Sequence, residues 1–248
     1  MRIFQWENCY ADVLTSKHSL YARSFFDDVI LPAMDALKEK VDVLSKSENL
    51  GDVFAHADAE EILRSTKLAF GLAIQALWER QFRGYLRQCV HDLRRESVLI
   101  AQVERGTWEN LCTLFEDLRD INLKTFPSYS ELEILHLFGN ACRHGDGPSA
   151  TRFAKRCPDF WKIYPVPTNL EGMAPPTRSV DSMDVPIDRL HDFILAIIAF
   201  WNDVEYIYCE SIRSKHSSLE ARLEIERTQR LWLPLPPFSN DEILKKLT

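Results

Sequence analysis

Five polar side chains recur at three- and four-residue steps past the middle of the chain: Glu133, His136, Asn140, Arg143 and His144. At about 100° per residue they fall within roughly a third of a helix circumference. Leu135, Phe138, Ala141 and Cys142 take the opposite side. An imidazole titrates near neutral pH and can take or give a proton, an amide can orient it, and a guanidinium can carry charge on a phosphoryl group. These residue types together suit acid–base chemistry on a phosphodiester, with His144, Asn140 and Arg143 as the candidate catalytic set and Glu133 and His136 supporting it.

The same residues have structural uses. Ser130 and Glu133 form a Ser-x-x-Glu capping box, Asn140 and His144 suit a polar helix end, and Arg143 suits an ion pair with a nearby acid. Gly145 stands where a left-handed C-terminal cap belongs, so the helix is expected from about Glu131 to His144. Three of the eight glycines fall between Gly139 and Gly147, which marks a sharp reversal of the backbone. Pro148 then suits the first position of a new helix, whose free amides would point back at the turn and attract an anion. Arg152, Lys155 and Arg156 add positive charge there against Asp146, so a phosphate fits the place.

The run Gly139-Asn140-Ala141-Cys142-Arg143-His144 resembles the signature of the HEPN domains, an arginine followed four to six residues later by a histidine, commonly Arg-Asn-x-x-x-His near a helix end. Asn140 and His144 match that spacing, and Gly139 stands at the arginine position. The helical outline from about 59 to 201 carries the rest of the resemblance. It implies an all-α helical bundle with a long central helix and a homodimer that brings two motifs together. In members with the full motif, it implies metal-independent cleavage of RNA by turning the ribose 2′-hydroxyl on its neighbouring phosphate. Here His144 would be the acid or base, Asn140 would orient it, and Arg143 would replace the missing cation. With Gly139 in the arginine position, the resemblance points to a non-catalytic or regulated interaction subunit in a setting such as phage defence or a toxin–antitoxin pair. The alternative is a metal-independent endoribonuclease.

Arg80, Arg83, Arg87, His91 and Arg94 lie within about 80° on one helix and form a basic stripe about 21 Å long. With a formal net charge of −7, the chain as a whole is no electrostatic partner for nucleic acid, and this stripe, with Arg152, is where RNA would bind. Its structural alternative is a solvated face paired with acids such as Glu116, Asp117 and Asp120. No metal is expected, since Cys142 falls on the apolar side, away from His136 and His144. The absence of a glycine-rich phosphate loop and of a Gly-x-Ser-x-Gly elbow leaves no cofactor and neither hydrolase class indicated.

The elements that must position these residues follow from glycine and proline placement, because both are costly in helix interiors. A first helical region is expected from Tyr21 to Lys46, bent at Pro32. A long central helix is expected from about Ala59 to Glu96, with Ile74, Leu77, Trp78, Phe82, Tyr85 and Cys89 on its buried face, and a shorter one over Trp108 to Arg119. Between Pro158 and Pro186 six prolines mark a loop. Beyond it a broad apolar stripe from Leu190 to Tyr208 and an amphipathic segment from Leu219 to Arg230 complete the helices. The apolar tail over 231–248 is expected to dock on its own domain or on a partner. An apolar content of 46% over 248 residues suits a single all-α domain. Six scattered cysteines and a start without a signal-like apolar run suit reduced thiols in the cytoplasm. The longest apolar stretch, Phe193 to Trp201, is too short to span a bilayer.

Overall fold

The computed structural model describes residues 3–161 and 178–235, and among them every regular element is helical. In chain order these are α1 (Tyr10–Val13), α2 (Thr15–Phe25), α3 (Leu31–Leu44), α4 (Asp52–Leu93), α5 (Ser97–Arg105), α6 (Trp108–Arg119), α7 (Tyr129–His144), α8 (Pro148–Arg156), α9 (Ile187–Ser211) and α10 (Ser217–Gln229). The all-α expectation is met, and α4, at 42 residues, is the expected long helix. No helix among the described residues is long and apolar enough to cross a membrane.

Pro32 acts differently from a simple bend point. Residues Phe26–Ile30 wind as a π-helical turn between α2 and α3, and the Leu31 amide reaches back to the Phe26 carbonyl. Widening the turn just before a proline absorbs the missing donor and the ring clash while the helix continues. Clear end signals fix α6: Thr107 caps its start reciprocally with Asn110, and Asp120 closes it in the left-handed region at φ 54°.

Where the sequence suggests one core, the chain packs as two compact units, each assembled from separate segments. The first takes the chain up to Leu20, Glu79–Ser130 and the chain from Ile197 onward; the second takes Tyr21–Trp78 and Glu131–Ala196. Helices α4 and α9 therefore each contribute to both. In the first unit Phe82 stacks against Phe115 and Phe200, and Phe126 packs on Phe200 at 5.1 Å. Its buried Gln81 is satisfied by the Trp201 indole N–H, 2.8 Å away, and by donating to the His18 carbonyl, as a polar group in a core requires.

Part of the apolar tail docks within this unit, because the Trp232 ring lies 4.9 Å from Phe126 and Pro234 is buried. Residues 236–248 of that tail lie outside the described residues, as do 162–177 of the proline-rich loop. The second unit closes around Phe138, whose ring meets Phe153, Phe160 and Phe193 at 5.5, 5.8 and 6.0 Å. This cluster joins α7, α8 and α9 and sets the position of the candidate site.

Candidate functional site

Helix α7 turns Leu132, Leu135, Phe138 and Ala141 into the second unit, as its spacing requires. Cys142 is half-buried beside them, and burial pushes its thiol pKa up to about 12 against the pull of the Arg143 charge, which disfavours the reactive thiolate. Gly145 ends the helix in the left-handed region at φ 68°, its amide bonded to the Ala141 carbonyl at 2.9 Å. The reversal into α8 at Pro148 follows.

Gly139 is buried in the middle of α7, where glycine costs about 1 kcal/mol relative to alanine. The backbone there lies against Gln75 of α4: a Cβ at position 139 would sit 2.5 Å from the Gln75 Cγ and 2.8 Å from its Cδ. The glycine is therefore a close-packing residue. A side chain at position 139 would face the interior of the unit, where the Gln75 side chain would have to move aside to admit it.

The polar face is assembled differently from the sequence expectation. The Asn140 amide donates to the His136 Nε2 at 3.0 Å, one turn back along α7, and so serves His136 where an orienting role on His144 was expected. Arg143 donates through Nη2 to the side-chain Oε1 of Gln75, which anchors it to α4. Glu133 forms an ion pair with Arg156 and ties α7 to α8. His144 itself is exposed at the helix end, and Arg152 is exposed on α8. Asp146, read from sequence as a charge beside a phosphate site, accepts from the Ser179 hydroxyl at 2.9 Å and the Val180 amide at 2.8 Å. Its carboxylate pins the chain beyond the proline-rich loop onto the turn.

The basic stripe lies in the first unit and is largely occupied there. Arg83 pairs with Glu79 at 2.9 Å and donates to the carbonyls of Val103 and Gly106, which are orphaned at the end of α5. Arg94 donates to the Asp117 carbonyl near the end of α6 at 3.2 Å, Arg87 approaches Glu104 at 3.8 Å, and His91 meets Asp92 at 2.8 Å. Arg80 is exposed. The acids expected as partners, Glu116, Asp117 and Asp120, supply only one carbonyl of this set. Replacing Arg83 with methionine is expected to cost about 1–3 kcal/mol in urea denaturation, because two carbonyls lose a charged donor. Arg87→Met, at an exposed pair, should stay within about 0.5 kcal/mol; equal effects would mean that Arg83 is a surface charge after all.

The sequence reading missed the most polar interior in the chain. Arg119, at the end of α6, is completely buried with Asp12 and Tyr85. Its Nη1 donates to the Glu7 carbonyl at 2.8 Å, its Nε to the Tyr85 hydroxyl at 2.8 Å, and its Nη2 to Asp12. The guanidinium also lies over the Trp6 ring at 4.1 Å. One signal was available, since Arg119 follows Phe115 by four residues and Leu111 by eight and so continues the apolar face of α6.

Among the described residues no group of three or more His, Cys, Asp and Glu is placed to hold a metal ion. The chain matches no protein-family model, no curated protein and no solved structure.

Proposed function

We propose that the protein is a non-catalytic, HEPN-like helical subunit that acts by contacting another protein or a second copy of itself, in a setting such as phage defence or a toxin–antitoxin pair. One observation carries this reading: the groups that RNA cleavage would need are engaged by the protein's own side chains, the half-buried Asn140 with His136 and the exposed Arg143 with Gln75, while Gly139 lies close against Gln75 where the motif arginine would start. Within the second unit Tyr21 on α2 and Phe54 on α4, 78% exposed, and within the first unit Tyr10 on α1 and Leu20 on α2, are apolar side chains in solvent that a partner could cover.

A second reading, the metal-independent endoribonuclease, is favoured by the exposure of His144 at the helix end beside Arg143. Incubating excess protein with mixed RNA in EDTA separates the two. The subunit reading expects RNA to remain intact with wild type and with His144→Ala alike. Cleavage by wild type that disappears in His144→Ala would establish the nuclease and overturn it.

A further inference from the structure

The six cysteines are far apart in sequence, yet the first unit brings two of them together: Cys9 and Cys89 approach to 3.5 Å between sulfurs. Cys89 lies on α4 and is sealed from solvent, whereas Cys9 immediately precedes α1 and is only half-buried. The Arg119 guanidinium stands 3.6 Å from the Cys9 sulfur. A buried carboxylate, Asp12, balances that guanidinium, and it also accepts from the Cys9 amide at 2.8 Å. We propose that Cys9 and Cys89 form a redox-active dithiol, with Cys9 as the thiol that reacts with a hydroperoxide and Cys89 as the thiol that resolves it.

The electrostatics divide the two roles. The hydrogen bond from the Cys89 thiol lowers the pKa of Cys9, and the nearby Arg119 charge adds to this against the cost of burial. Burial holds the pKa of the Cys89 thiol well above its ordinary range, and burial raises those of Cys142, Cys157 and Cys209 as well. The thiolate is the reactive form, so of this pair Cys9 is the one that meets a solvent-borne peroxide as a nucleophile.

In the first step the Cys9 thiolate attacks one peroxide oxygen, the O–O bond breaks, and the departing hydroxide takes a proton to become water. Cys9 is left as a sulfenic acid. In the second step the Cys89 sulfur attacks the Cys9 sulfur, the S–O bond breaks, and hydroxide leaves with the Cys89 proton as water. The two thiols lose two electrons and one hydrogen peroxide becomes two waters. The sulfurs must close to about 2.05 Å. Cys9 can make this movement because it lies in non-helical chain ahead of α1. The bond would fasten the N-terminal segment, with its buried Phe4 and Trp6, covalently to α4.

The test treats the purified full chain with hydrogen peroxide, blocks the remaining thiols, and maps the peptides by mass spectrometry. A dithiothreitol-reversible link between the Cys9 and Cys89 peptides, formed before loss of the other four thiols, is the expected result. In Cys89→Ser, dimedone should capture a sulfenic acid at Cys9; in Cys9→Ser, Cys89 should stay reduced. Circular dichroism confirms that both variants are folded. Oxidation of Cys9 without the link, a link between other cysteines, or no preferential loss of these two thiols would overturn the proposal.

Discussion

Gly139→Arg, which would complete the pattern Arg-Asn-x-x-x-His over 139–144, is expected to destabilise the protein by more than about 3 kcal/mol and to yield no RNA cleavage. The side chain would start 2.5 Å from the Gln75 Cγ. Overpacking at a filled site costs about 1–3 kcal/mol, and a guanidinium forced into a buried position without a partner adds several more. Gly139→Ala bounds the effect from below, because the better helix propensity of alanine returns about 1 kcal/mol of the steric loss. Urea denaturation followed by circular dichroism reads both. A Gly139→Arg protein with an unchanged midpoint would show that α4 and α7 can part to admit the side chain.

The second large effect belongs to Arg119. Substitution by methionine keeps most of the side-chain volume but leaves the Asp12 carboxylate buried with only the Tyr85 hydroxyl and the Cys9 amide as donors. Breaking one member of a buried ion pair costs about 3–5 kcal/mol, a large part of the stability of an ordinary domain. Removing the orphaned charge with Asp12→Leu in the same chain should recover part of this. Recovery stays incomplete because the Glu7 carbonyl and the Cys9 amide lose their partners. A single Arg119→Met that unfolds at the wild-type urea concentration would contradict the description of this cluster as a charged tie within the first unit.

Local signals placed several helices from sequence. Apolar spacing through Leu111, Leu114, Phe115 and Leu118 placed α6, whose Thr107 cap and left-handed Asp120 emerge only in the structure, and Gly145 and Pro148 mark the turn between α7 and α8. The short helices α1 and α5 start after Cys9 and Glu96, which are not common capping residues, and lie outside the sequence expectation; Pro32 gave a π-turn because the helix could widen instead of breaking. The candidate site was legible only as a set of residues on one face. Their partners come from afar: Gln75 stands 68 positions before Arg143, and Arg156 stands 23 after Glu133. No periodicity within α7 could reveal that its glycine serves packing or that its arginine faces α4. For the same reason the basic stripe read as an open surface, when three of its members bond elements that follow α4 in the chain.

Arg143 serves as a structural side chain of the second unit through its bond to Gln75. The most direct measurement is a double-mutant cycle on Gln75→Met and Arg143→Met, with stability read by urea denaturation. A charge-assisted hydrogen bond between them predicts a coupling of about 1 kcal/mol, with the pair losing less together than the sum of the single losses. Losses that add to within about 0.3 kcal/mol would show that the guanidinium is free of Gln75 and available to a substrate.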